Sequence, residues 1–319
     1  MIIKHNDLTI ETLGDPHLGR SFVHGVSLAR RGDREARVWA DFTDSVLNTD
    51  ADVHVNMGDL FDKAYVSYDV IMRAAQLYIE AATANPDRIF VVLKGNHDWV
   101  RDLDRHSAFD MFAAIVEHMQ NIFIVTTRWQ YMGELAFFAW HPTTLAADMI
   151  PIIEKGPTIA FGHWDVESFG GNGENLIPTK QLAEAGFAHA YTGHIHKEEE
   201  FFDRDGIFVK VVGSMQPYAH GEESNDDLYV TITKDQIDDT LHNKCVRVVL
   251  QPGEILDEEI DCLSLTVNKI DGPEDEMPTV VLGDFDMEKM FRAAFCDVNA
   301  DITENLLQQF NMKRLADGS

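Results

Sequence analysis

Five times along this chain an apolar run stops at a glycine and is followed at once by Asp, Asn or His. The clearest case is Val91-Val92-Leu93-Lys94-Gly95-Asn96-His97-Asp98. A short, continuous apolar run rich in β-branched residues predicts a strand buried on both faces, as in a parallel sheet. The polar residues then fall at the strand's C-terminal end. The same grammar recurs at Gly14-Asp15-Pro16-His17, Gly58-Asp59, Gly162-His163 and Gly193-His194-Ile195-His196. Between these units the spacing predicts helices over 37–48, 66–82, 107–120 and 179–185. The stripes Val38/Phe42/Val46/Leu47, Val70/Ile71/Ala74/Leu77/Tyr78 and Phe109/Phe112/Ile115/Val116/Met119 are read as core. Strands, glycines and intervening helices of this kind specify an α/β protein.

Each unit alone says little. An Asp-x-His loop is ordinarily a solvated turn, and a His-x-His pair is only a better metal signal than a lone His. His141, with no partner spacing, is read as structural. Together, however, the loops gather Asp15, His17, Asp59, Asn96, His163, His194 and His196, a set of nitrogen and oxygen donors without a thiolate. A carboxylate can bridge two cations, so this set suffices for two ions of the Mn, Fe or Zn kind and disfavours a structural zinc site. Two metals about 4 Å apart clamp a phosphate and acidify a water, which implies phosphoester hydrolysis.

Charge bears on the substrate. The formal net charge is -28, and residues 221–319 hold 23 Asp and Glu against 8 Lys and Arg. Such acidity repels nucleic acid, so a polyanionic substrate must be captured by metals, local basic patches or a second protein. The one dense arginine cluster contains Arg30, Arg31 and Arg34, with Arg20 before it. These are the candidate DNA contacts, although a solvated surface loop explains the cluster equally well. Cys245, Cys262 and Cys296 lack Cys-x-x-Cys spacing and suit a reduced cytoplasmic protein. The N-terminus has no signal-peptide apolar stretch, and no run approaches membrane-span length.

The ordered series Asp15-x-His17, Gly58-Asp59, Gly95-Asn96-His97-Asp98, Gly162-His163 and Gly193-His194-x-His196 resembles the signature of calcineurin-like metallophosphoesterases. Within them, Asp15-Pro16-His17-Leu18-Gly19, Gly58-Asp59-Leu60-Phe61-Asp62 and Gly213-Ser214 resemble the SbcD-type nuclease subunit of DNA recombination and repair. Gly162-His163-Trp164 is similar to its phage version. The resemblance spans about residues 8–232. It implies a four-layer α/β/β/α sandwich over 1–234 with a small acidic α+β appendage over 235–319, the soft boundary lying near Lys234.

The resemblance also implies two Mn ions, with Mg, Fe or Zn as alternatives. Asp15, His17, Asp59 and His196 would surround one ion, and Asp59, Asn96, His163 and His194 the other, with Asp59 bridging. It gives His97 a contact to the scissile phosphate and leaves open the catalytic role of Asp62, which stands where some relatives have a second histidine. It further implies homodimerisation through helices 66–82 and 107–120, and an SbcC-type ATPase partner gripped by helices 287–295 and 302–310. Two rival readings are a small-molecule phosphodiesterase or phosphatase using the same metals, which suits the acidity better, and a non-enzymatic acidic scaffold or DNA mimic. The full ligand set argues against the second.

Overall fold

In the computed structural model, which describes residues 1–131, 134–150, 158–170, 173, 175–222 and 227–270, the described strands form three sheets. The first has β1 (Ile2–His5), β2 (Leu8–Leu13), β3 (Val53–Asn56), β4 (Ile89–Leu93) and β5 (Ile122–Val125) side by side in that order. All neighbours are parallel except β1 with β2. Parallel neighbours need long crossovers, and α1 (Asp33–Asn48), α2 (Tyr68–Ala84) and α3 (Ala108–Val116) supply them. Leu13 stands opposite Asn56, and Asn56 opposite Val92, so the C-terminal ends of β2, β3 and β4 lie level.

The second sheet contains β6 (Arg128–Tyr131), β7 (Leu135–Phe138), β8 (Ile159–Gly162), β9 (His189–Thr192), β10 (Glu199–Phe202) and β11 (Phe208–Val211). Its order is β10-β11-β9-β8-β7-β6, parallel through its inner four strands and antiparallel at both edges. Two short helices, α4 (Ala146–Met149) and α5 (Thr179–Ala185), follow β7 and β8. The protein is thus α/β with mixed, mostly parallel sheets.

The side chains of β4 show why its sequence is apolar without a break. Phe90 and Val92 join a cluster with Phe42 of α1, Tyr78 of α2 and Phe112 of α3. Val91 and Leu93 join a different cluster, shared with Phe137 and Phe161 of the second sheet. Burying each such side chain contributes roughly 1.5–3 kcal/mol, so both faces hold this strand in register. A third cluster sets Phe138, Ala160 and Val209 against Leu182 of α5 and Met149 of α4.

The third sheet is parallel: β12 (Tyr229–Thr233), β13 (Cys245–Leu250) and β14 (Ser264–Lys269). The sequence reading leaves β12 on the N-terminal side of Lys234, yet it pairs with β13, and Tyr229 packs with Cys245 and Leu263. By contacts, Met1–Ile270 is one compact unit. Residues 271–319 lie outside the described residues, and with them Cys296, the predicted helices 287–295 and 302–310, and the ATPase-docking assignment. Among the described residues, no helix is long and apolar enough to cross a membrane.

Candidate metal centre

The loops leaving β2, β3 and β4 meet those leaving β8 and β9. The backbone N–H of His194 donates to Asp15 Oδ2 at 2.9 Å, tying the last loop to the first. Three of the four non-glycine residues with positive φ among the described residues are His17, Asp59 and His194, at 46°, 49° and 72°. Side chains disfavour this left-handed region, and each instance costs roughly 1–3 kcal/mol, which the surroundings must offset. Here the surroundings do so. His17 N–H donates to the Asp59 carbonyl (3.0 Å) and Leu18 N–H to that of Leu60 (2.9 Å). Buried Asp98 accepts from the backbone of Gly95 (3.0 Å), Phe61 (3.1 Å) and Leu60 (3.2 Å), binding the Asp59 loop to the Asn96 loop. Two glycines are demanded by proximity: a Cβ at Gly58 would overlap the His163 ring, and one at Gly95 would overlap Asp59.

Two clusters result, each with its potential ligand atoms within 4.8 Å of one another. In the first, Asp15, His17 and His196 converge, with His17 Nε2 and His196 Nε2 3.0 Å apart and Asp15 Oδ2 3.9 Å from the latter. In the second, Asp59, His163 and His194 converge with Asn96. Asp59 faces both clusters: its Oδ1 lies 3.5 Å from His163 Nε2 and its Oδ2 3.9 Å from His17 Nε2.

The tautomers bear on whether cations fit. His163 Nδ1 is 2.8 Å from the Met57 carbonyl, which can only accept, so that nitrogen carries hydrogen. His194 Nε2 likewise donates to Asp165 Oδ1 at 2.7 Å. Their other nitrogens both approach Asn96 Oδ1 at 2.9 Å. Imidazole nitrogens, an amide oxygen and a carboxylate pointing at one place are a donor set for a divalent ion, and carboxylate or carbonyl backing of the far nitrogen is how metal-binding histidines are oriented. In the first cluster, Glu222 Oε1 backs His196 Nδ1 at 3.2 Å. His17 Nδ1 is buried without a hydrogen bond, with the Asp62 carboxylate 3.9 Å away.

Electrostatics differ across the pair. Burial would lower the pKa of His163, but Asp59 and Asp15 outweigh it and raise it to about 9. Burial lowers that of His17 to about 3. Burial would raise Asp59, yet His163, His17 and His97 together hold its carboxyl well below the usual range. Burial, helped by Asp59, pushes Asp15 up to about 6 and Asp98 up to about 8. Concentrated buried charge of this kind is a mark of functional sites.

No protein-family model matches the sequence, and no curated protein matches it. The geometry itself places buried His and Asp clusters able to hold metal ions at the C-terminal ends of strands, an arrangement consistent with a metallophosphoesterase-like site.

The remaining predicted residues have distinct places. His97 is exposed at the rim; its N–H donates to Asp59 Oδ1 (2.9 Å) and its Nδ1 to the Asp62 carbonyl (2.6 Å), leaving Nε2 4.0 Å from Asp59 Oδ2. The Asp62 carboxylate is held between His17 and Arg20. With His17 and His97 it forms a third group of metal-ligand type. Arg20 lines the cavity of about 820 Å³ in front of the clusters, with Lys63 and Arg101.

Arg31 is exposed, and Arg30 is engaged by Asp33, Asn243 and Asp261. Arg34 differs from expectation. It is buried, bonded to Gln216 and the Pro217 carbonyl and stacked on Phe22, so it packs inside the protein and is not a surface contact of the arginine cluster. His141 accepts from Thr143 and Thr144 backbone N–H groups, a structural role. Sequence reasoning gave no supporting role to Asp98, which it met only as part of the Gly95-Asn96-His97-Asp98 unit, or to Asp165 and Glu222. Asp98 adjoins His97 and Asp165 follows His163 by two, whereas nothing in the sequence ties Glu222 to His196.

Proposed function

We propose that this protein is a two-metal phosphodiester hydrolase of the calcineurin-like type, acting on DNA as an SbcD-type nuclease subunit. The observation that carries the reading is Asp59, one carboxylate with an oxygen toward each of two His/Asp clusters. Mn is the favoured metal, with Asp15, His17, Asp59 and His196 holding one ion and Asp59, Asn96, His163 and His194 the other. Such ions, when bound, polarise a phosphate ester and acidify a water. His97, with its Nδ1–H committed to the Asp62 carbonyl, keeps Nε2 available to face the phosphate; in the imidazolium form that nitrogen would carry the proton handed to the leaving oxygen, and His97 would be left neutral. Arg20, Lys63 and Arg101 at the cavity mouth favour an anion despite the net charge of -28.

The three core clusters support the four-layer α/β/β/α arrangement expected of such enzymes: helices, first sheet, second sheet, helices. Tyr68 and Met72 of α2 and Met111 of α3 are exposed apolar side chains that suit the proposed homodimer. An SbcC-type ATPase is the proposed partner, docking on residues 287–310.

Mn-dependent degradation of end-labelled linear duplex DNA, beside Asp59→Asn, tests the reading. Activity is expected to fall on the order of 10³-fold or more in the variant, because both clusters lose a shared ligand. Hydrolysis of simple phosphodiesters with none of DNA, even with the ATPase added, would favour a small-molecule phosphodiesterase, the reading to which the acidity lends weight. Purified protein that binds no metal would leave the acidic-scaffold reading.

A further inference from the structure

The cavity before the two clusters is lined by charged and polar groups, by small Ala64, and by one large apolar side chain, Trp99. Trp99 follows His97 by two residues on the same loop and is held on several sides. Its indole N–H donates to the Trp140 carbonyl at 3.1 Å. The Lys94 ammonium sits 4.0 Å from its ring centroid, and the His141 ring meets it edge-on at 4.9 Å. Lys94 is itself buried and anchored to Asp110 at 2.5 Å, a carboxylate that also caps α3 through Ser107. The lysine therefore cannot leave the ring. Trp99 as a whole stays half-buried and forms part of the cavity wall.

A tryptophan needed only to cover Lys94 would be better buried, and a wall serving only to bind phosphate would place a hydrogen-bond donor there. An aromatic ring fixed in the cavity wall two residues from His97 offers something else: a partner for a planar ring. We infer that Trp99 is a stacking platform for a nucleobase adjoining the scissile phosphate. The inference rests on the hydrolase reading above and adds to it a residue that would recognise the base rather than the phosphate. Stacking uses a π-face that every base has, so Trp99 would add affinity with little sequence preference, and Arg20, Lys63 and Arg101 would hold the flanking phosphates.

The test compares thymidine dinucleotide with its abasic analogue, in which tetrahydrofuran replaces each nucleoside sugar and base around the same phosphodiester. Wild-type protein with Mn is expected to show kcat/KM about 5- to 150-fold higher for the base-bearing compound. Trp99→Leu should erase that preference, and Trp99→Phe, which keeps a ring without the N–H, should retain part of it. Binding is read separately, without turnover, as dinucleotide quenching of the fluorescence lost between wild type and Trp99→Phe.

Equal cleavage of both compounds by the wild type, or a preference that survives Trp99→Leu, overturns the inference and leaves the hydrolase reading intact. Base-dependent quenching without cleavage supports the platform and counts against the hydrolase. Neither cleavage nor quenching overturns both.

Discussion

The first sheet brings Asp15, His17, Asp59 and Asn96 to the centre, and the second brings His163, His194 and His196, by different means. On the first sheet the backbone does most of the positioning: two of its four residues adopt positive φ, and Asp98 gathers three amides of the surrounding loops. On the second, each histidine is aimed by an acceptor on its far nitrogen, namely the Met57 carbonyl, Asp165 and Glu222. The side chains of His194 and His196 are also 22% and 20% exposed, whereas His17 is 1% exposed. Geometry built into a backbone is lost only with the fold around it. Geometry set by a side-chain acceptor can be adjusted alone.

The contrast is open to attack, and the largest effect should come from Asp98→Ala. It strips the acceptor from three buried amides at about 1–3 kcal/mol each, so chemical denaturation should show a loss of at least about 3 kcal/mol together with release of metal from both clusters. Near-native stability would mean that the Asp59 loop holds its shape by other means.

Asp165→Asn and Glu222→Gln should behave oppositely, leaving stability close to native and lowering metal affinity about 10- to 100-fold. The losses should be local: Asp165→Asn weakens the cluster of His163 and His194, Glu222→Gln that of His17 and His196. Titrating Mn while following the spin-coupled resonance of the pair separates these cases, and equal weakening of both clusters by either variant would refute side-chain control.

The smallest effect concerns acid. His54 of β3 is buried beside Ser45, and burial lowers its pKa to about 3. A base whose folded pKa lies below its unfolded value near 6.5 contributes stability above that pH and loses it as pH falls toward 3. The slope is about 1.4 kcal/mol per pH unit for one proton. Hydrogen exchange at pH 5 should therefore open the first sheet before the second, and His54→Gln should flatten the slope by about that amount; an unaltered slope would place the acid sensitivity elsewhere.

Much of this arrangement is legible in the sequence: β4 leaves an unbroken apolar run because it is buried on both faces, and α5 occupies the predicted residues 179–185. The two edge strands of the second sheet leave no such trace. β10 reads Glu-Glu-Phe-Phe and β6 Arg-Trp-Gln-Tyr, and neither looks like a strand until a neighbour pairs with it. β12 is apolar enough to be found, but its parallel partner β13 is a matter of register that local pattern cannot supply.

Arg34 had a usable signal. It stands four residues before Val38, and with Phe42 and Val46 it completes the buried stripe of α1, which begins four residues earlier than the apolar residues alone suggest. Asp98 was visible as a carboxylate near the chemistry, but what it bonds are backbone amides, which no side-chain pattern reveals. The pairing of His196 with Glu222 depends on how the chain returns after β11, so only the folded protein discloses it.

The left-handed backbone at His17, Asp59 and His194 sets folding and chemistry against each other. Glycine or asparagine would sit more comfortably at all three. A library of variants selected for heat resistance alone would therefore shed these side chains early, and one selected for turnover would keep them. The positions where the two selections disagree would trace the centre without reference to any relative.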